Sequence, residues 1–427
     1  MNYSKDLKGI VMSRVLFVTD SYGWKATANG ICVEEVASYF VKQGDEVHVM
    51  CFRRKGEEKC ELVNGIYVHR IKMNPINRWR AVHEIYDVPI LVKKMALFTY
   101  KWLNRLQSMI FLYWYPMRTP VFTLRYAREM GKLHERYNFD VVVMSYAPFE
   151  AAGAGWIFKR KYSDVYAVLY ILDSFSNLIP RFFLSKEWQD KKGWQWEQRL
   201  YRIYDLILNL RCHDKHYAQS RYEIYRSKMK STDIPHMSED ILPKKCDIKR
   251  DSNRLNFLYA GLIRPVTGPY AMCMLERLSK SIDLVINMYT RSNEEILGGQ
   301  LLGLENKIVW NGFVTREEVL KRECEADVLL SMGNPQSDFI PSKTFEMILT
   351  GKRIIHFYNI ENDPVNAYLK RYPNACLINI NHDIELNYEK IQVFLKKPYV
   401  EIDRKELLKE YYENTPEFTY LQIKEAM

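Results

Sequence analysis

Residues 337–346 of this 427-residue chain read S-D-F-I-P-S-K-T-F-E and run on into M-I-L-T-G and the apolar R-I-I-H-F. Those residue types, at that spacing, can hold a phosphate beside a carbohydrate. Pro341 fixes a backbone dihedral at the start of a helix, Ser342 can cap it, and Gly351 can close it in a left-handed conformation. N–H groups left free at the helix opening, the positive end of its dipole and the Lys343 ammonium together suit a phosphate anion. Glu346 follows about one turn later, where a carboxylate can accept from two vicinal hydroxyls, as on a ribose. Asp338 on the preceding loop can do the same for a sugar. The plain alternative is a surface helix with an exposed lysine and glutamate.

Two glycine loops can also approach a phosphate. The first, D-S-Y-G-W-K-A-T-A-N-G-I, carries Gly23, Asn29 and Gly30; the second follows L-Y-A-G as L-I-R-P-V-T-G-P, with Gly261, Gly268, Arg264 and Thr267. Neither is G-x-G-x-x-G, which weighs against hydride transfer. In R-C-H-D-K-H, Cys212, His213 and His216 fall close together, but a structural zinc site needs four ligands and no second half is evident.

Short apolar, β-branched runs, each followed by a stretch of helical spacing, must position these residues. Strands are expected at 15–20, 46–52, 65–71, 140–145, 165–172 and 206–210. A polar stretch with Pro235 and Pro243, over about 228–254, reads as a connection, after which strands are expected at 255–261, 283–290, 307–313, 327–332, 352–357 and 376–379. This alternation predicts an α/β chain of two tandem doubly wound, Rossmann-like domains facing across a cleft. The domains are placed at 10–235 and 255–397, with a linker at 236–254 and a helix within 398–427 packing back across both.

With these loops and the 338–346 segment, the sequence resembles retaining glycosyltransferases of the GT-B fold, in the large family that builds bacterial polysaccharides and glycolipids. P-S-K-T-F-E-M-I-L-T-G-K-R-I-I is similar to the family's donor motif, and F-L-Y-A-G with Arg264, N-G-F-V-T-R-E-E-V-L and A-D-V-L-L-S add to it. The resemblance implies a metal-independent hexosyltransferase without a cofactor. A nucleoside-diphosphate sugar would be the donor, and a glycan or lipid-linked molecule the acceptor. It implies that Lys343 and Arg264 neutralise the diphosphate, Glu346 holds the ribose, and Asp338 the sugar, with Gly261, Thr267 and Ser342 lining the donor site. Asn29 and Gly30 would lie near the acceptor, with Ser145 where many members carry a histidine. Asp173, after Y-I-L, would contact acceptor or sugar; a helix cap explains it equally well.

A hydrophobic share of 47% excludes disorder, and no apolar run reaches the roughly 18 residues that cross a bilayer. The polar start M-N-Y-S-K-D-L-K-G and eight scattered cysteines fit a cytoplasmic protein with reduced thiols. A formal charge of +10 suggests an anionic partner. Within 91–136, cations (Lys93, Lys94, Lys101, Arg105, Arg118, Arg125) are interleaved with rings (Phe98, Tyr100, Trp102, Tyr113, Trp114, Tyr115, Phe122, Tyr126). The segment is expected to dock peripherally on the inner face of an anionic membrane. An amphipathic helix packed on its own sheet is the alternative, and nucleic acid is not expected. A nucleotide-sugar epimerase and a catalytically silent GT-B-like scaffold or glycan-binding subunit are the rival functions.

Overall fold

Every strand expected from the apolar runs is present in the computed structural model, to within three residues at either end. The structure describes residues 12–23, 26–84, 86, 88–117, 119–146, 148–172, 184–243, 254–291, 303–335 and 339–427. The chain divides into two units, Met1–Pro235 with Pro416–Met427, and His236–Thr415.

The first unit runs β1 (Arg14–Val18), α1 (Ala28–Lys42), β2 (Glu46–Arg53), β3 (Cys60–Val63), β4 (Ile66–Lys72), α2 (Pro75–Glu84), α3 (Ile90–Ile110) and α4 (Pro120–Tyr137). It continues with β5 (Val141–Ser145), α5 (Phe149–Lys161), β6 (Tyr166–Ile171), α6 (Lys186–Ile203), β7 (Leu206–Leu210), α7 (Asp214–Tyr217) and β8 (Met229–Thr232). The sheet order is β3-β4-β2-β1-β5-β6-β7-β8, parallel except at β3. Central strands such as β5 and β7 are buried along their whole length, as a parallel sheet covered on both faces requires. Strand order reverses between β1 and β5, which puts the α1 loop and Ser145 at the switch.

Two strands depart from expectation. β8 occupies residues that composition assigns to the connection; it is a short polar edge strand whose one strand partner among the described residues is β7. β3 pairs antiparallel with β4 through a turn at Asn64 (φ 50°) and Gly65 (φ 81°), the Asn-Gly pair that a tight hairpin favours.

The second unit comprises β9 (Leu255–Ala260), α8 (Thr267–Leu278), β10 (Leu284–Tyr289), β11 (Ile308–Trp310), α9 (Arg316–Glu325), β12 (Val328–Met332) and α10 (Lys343–Leu349). After these come β13 (Arg353–Tyr358), α11 (Val365–Leu369), β14 (Ala375–Asn379), α12 (Ile384–Lys396) and α13 (Arg404–Glu410). All strands are parallel, in the order β11-β10-β9-β12-β13-β14, so the switch falls between β9 and β12.

The last helix, α14 (Pro416–Lys424), belongs to the first unit. Tyr420 packs edge-on against Phe40 at 4.6 Å, and Lys424 Nζ donates to Asp45 Oδ1 at 2.7 Å and to Ser13 Oγ at 2.9 Å. Thr419 and Thr232 hydroxyls meet at 2.8 Å. Asp45 and the Lys424 side chain are almost wholly buried, so this ion pair is a core contact.

Candidate functional site

Lys343 opens α10 and its ammonium donates to the Ala260 carbonyl at 3.2 Å, which places the cation at the carboxyl end of β9. The next residue, Gly261, has φ +155°, a conformation that favours glycine, and its N–H donates to Tyr289 O at 3.0 Å. The Tyr259 hydroxyl donates to Leu262 O at 2.6 Å and so braces the loop that carries half-buried Arg264. Thr267 begins α8 fully buried, and Asn334 is buried just beyond β12. Neither Thr267 Oγ1 nor Asn334 Nδ2 has a hydrogen-bond partner among the described residues. Unpartnered polar atoms therefore lie on both sides of the switch, one at the start of α8 and one in the loop after β12.

The expected cap is corrected. Ser342 has helical dihedrals (φ −57°, ψ −31°) and makes no side-chain cap bond, because a capping hydroxyl needs an extended backbone. The turn opens one residue earlier, with Thr344 N–H donating to Pro341 O at 3.0 Å. Gly351, at φ +75°, closes the helix as the sequence indicates. With only seven residues, α10 has a weak dipole, and the Lys343 ammonium is the stronger attraction for an anion.

Glu346 is 2% exposed rather than open on a surface. Its Oε1 accepts from Arg316 Nε at 2.7 Å and pairs with His236 Nδ1 at 3.2 Å. Burial would raise this carboxyl, but the His236 hydrogen bond and the charges of Arg316, His236 and Lys343 outweigh it and hold the group down at about 2. Glu323, 1% exposed, lies in the same electrostatic cluster: burial pushes its carboxyl up to about 8, against the pull of Lys343 and Arg316. His236, Arg316 and Glu323 are site residues that the sequence reading missed. The seven-residue spacing of Arg316 and Glu323 puts both on one face of α9, but nothing in the sequence singles out that pair.

A pH dependence follows from Glu323. Its folded-state pKa lies above the unfolded value near 4.5, so the folded chain holds the extra proton and stability falls as pH rises from about 4.5 to 8, by at most about 1.4 kcal/mol per pH unit. Glu323→Gln should flatten that part of the thermal-midpoint profile. An unchanged profile would show that the carboxyl does not titrate in this window.

In the first unit, Gly30 sits in the first turn of α1, and its N–H donates to the Thr27 hydroxyl at 3.1 Å. A Cβ there would lie 2.4 Å from Ser21 O, so close packing accounts for the glycine. Asn29 beside it is half-buried. Ser145 is 0% exposed and offers no surface to an acceptor as the structure stands. Asp173 and Asp338 lie outside the described residues, as does Arg118.

The aromatic segment splits by element. On α3, Leu91, Met95, Phe98, Trp102, Leu106 and Met109 are all exposed, Phe98 at 72% and Trp102 at 59%, which rules out packing of this stripe on the sheet. Tyr115, Phe122 and Tyr126 are core residues instead, with Phe122 and Tyr126 edge to face at 5.2 Å. No described helix is long and apolar enough to cross a membrane.

No protein-family model and no curated protein matches the sequence. Solved structures do. WaaG, a glycosyltransferase involved in lipopolysaccharide biosynthesis, aligns with a TM-score of 0.56 at 12% identity, over 96% of this chain and 99% of that one. The catalytic domain of starch synthase IV from Arabidopsis thaliana, bound to ADP and acarbose, aligns at 0.57 and 9% identity, over 97% and 98%. A UDP-N-acetylglucosamine 2-epimerase aligns at 0.51 and 8%, over 94% and 90%. At such identities the shared property is architecture, and the chain has the two-body Rossmann-like fold of GT-B glycosyltransferases.

Proposed function

We propose that the protein is a retaining glycosyltransferase. It would move a sugar from a nucleoside-diphosphate sugar to a hydroxyl of a glycan or lipid-linked acceptor, in cell-surface polysaccharide or glycolipid synthesis. The observation that carries this reading is the Lys343 ammonium, 3.2 Å from the Ala260 carbonyl at the switch of the second sheet, with the Arg264 loop beginning at the next residue. A departing nucleoside diphosphate gains charge as the bond from the anomeric carbon to phosphate oxygen breaks, and cations fixed at that position lower the barrier. The acceptor oxygen bonds to the anomeric carbon on the same face. Its proton passes to the leaving phosphate oxygen, so configuration is kept and no separate base is needed. In this reading Asp338 holds the sugar, Asp173 contacts the acceptor, and Gly261, Thr267, Ser342 and Glu346 line or support the donor.

The test is UDP or GDP release from a panel of sugar nucleotides. Turnover that rises with added glycan or lipid-linked acceptor is expected. An isomerised sugar nucleotide formed without acceptor would indicate an epimerase, and binding without turnover a silent subunit.

The exposed stripe on α3, flanked by exposed Lys94, Lys101 and Arg105, supports peripheral docking on anionic lipid. The protein should sediment with phosphatidylglycerol vesicles and much less with phosphatidylcholine. Phe98→Glu and Trp102→Glu should each cost about tenfold in partitioning, the value of one ring moved out of water. Equal failure on both vesicles would remove the membrane contact.

A further inference from the structure

The ends of β2 and β4, with α2 and α4, line a half-open cavity of about 720 Å³ in the first unit. Arg53, Arg54 and Lys55 line it from the β2 end, Lys59, Arg70 and Lys72 from the β3–β4 hairpin and its approach. Arg78 comes from α2, and Arg125 and Lys132 from α4. These nine cations meet a single lining carboxylate among the described residues, Glu129, which is already paired with Lys132 at 2.8 Å.

The cavity is built rather than accidental. Arg54 and Arg70 are only 8% and 7% exposed. Arg70 is fixed by Glu57, at 3.4 Å, and by Glu61, while Arg53 Nε donates to Glu57 O at 2.9 Å. Lys55 N–H donates to the Tyr86 hydroxyl at 3.0 Å, tying the loop after β2 to the residue just beyond α2. Lys55, Lys59, Lys72, Arg78 and Arg125 have no carboxylate partner among the described residues, so the concavity keeps a large uncompensated positive charge. Ile71, Met73, Val82 and Tyr86 add apolar surface between the cations.

We propose that this cavity binds an oligophosphate group, a pyrophosphate or closely spaced phosphates. One phosphomonoester carries too little charge to balance so many cations, and guanidiniums match phosphate oxygens two at a time. The volume lies within the range of small-molecule pockets, whereas nucleic acid would need a longer basic track. As the anionic anchor of the acceptor, the cavity rests on the glycosyl-transfer reading; as a phosphate site it does not.

Calorimetry on the full chain tests this, using inorganic pyrophosphate and tripolyphosphate in a Lys343→Ala background so that the second unit does not contribute. Both anions should bind, and the triple variant Lys55→Gln, Lys72→Gln, Arg78→Gln, all at exposed positions, should weaken them by about 100-fold. The same charge loss on α3, as Lys94→Gln, Lys101→Gln, Arg105→Gln, should change affinity less than about threefold at 0.15 M salt. Equal weakening by both triples, or no binding of either anion, overturns the proposal. Phosphatidylcholine vesicles carrying polyprenyl diphosphate, if bound more tightly than soluble pyrophosphate and lost in the first triple, would identify a lipid-borne ligand; binding of the soluble anions alone would identify a soluble one. A 20-nucleotide DNA strand binding more tightly than tripolyphosphate and lost in the same triple would overturn the proposal in favour of nucleic acid. UDP and GDP titrated into protein with native Lys343 separate the two readings. Nucleotide binding without pyrophosphate binding to the Lys343→Ala protein sinks the cavity, and the reverse sinks glycosyl transfer and keeps the cavity.

Discussion

Lys343→Ala should lower release of nucleoside diphosphate from the preferred sugar nucleotide by about 100- to 1,000-fold, the usual loss when one fixed charge aimed at a developing anion is removed. The side chain is only half-buried and makes one hydrogen bond to a carbonyl, so the fold should tolerate its loss. An unfolding midpoint within about 2 °C of the parent is expected, since no buried charge is left unpaired. The loss should fall mainly on kcat, because the charge at the phosphate oxygens grows as the bond breaks. Arg264→Ala should act in the same direction, and the double variant should lose less than the product of the two. Turnover unaffected by Lys343→Ala would dismiss the donor site assigned to the second sheet.

Glu346→Ala should behave differently, because here stability goes first. Removing this buried carboxylate leaves Arg316 and His236 facing each other with no anion between them, a break that costs about 3–5 kcal/mol. A fall of roughly 10 °C or more in the midpoint of the second unit is the expected result. Glu346→Gln keeps the volume and one acceptor oxygen, so it should recover part of that loss while activity stays low. The wild type should show a related acid limit. Because the carboxyl is held at about 2 in the folded chain, below the ordinary 4.5, its contribution is complete above about 4.5 and is lost as pH falls toward 2. A Glu346→Ala protein as stable as its parent at neutral pH would show that the cluster is not a structural ion pair.

Sequence alone revealed the strands because their signal is local: in a run such as V-V-V-M-S at 141–145, shortness and β-branching favour a buried strand over a helix. β8 and β3 escaped for the opposite reason, since edge strands need no continuous apolar run; only Asn64-Gly65 marked the hairpin. Lys343 and Arg264 were legible as residue types beside glycine loops. What α10 does with Ser342 was not, since Pro341 moves the start of the turn by one residue. The cluster around Glu346 was hidden too: His236 and Glu323 acquire meaning only when distant segments meet, and a histidine or glutamate carries no mark of burial. In the aromatic segment, composition pooled rings that belong to two helices, with Phe98 and Trp102 exposed on α3 and Phe122 and Tyr126 buried on α4.

The placement of α14 bears on how the chain is made. The groove that receives Tyr420 and Lys424 is formed by α1 and by residues near Asp45, all synthesised early, while the helix that fills it is made only after the whole second unit. Until α14 emerges, Asp45 lacks its ammonium partner and Phe40 its covering ring, so the amino-terminal half waits, unfinished, through translation of the entire His236–Thr415 unit. A polypeptide ending at Thr415 would keep its second unit whole and leave the first open to proteases.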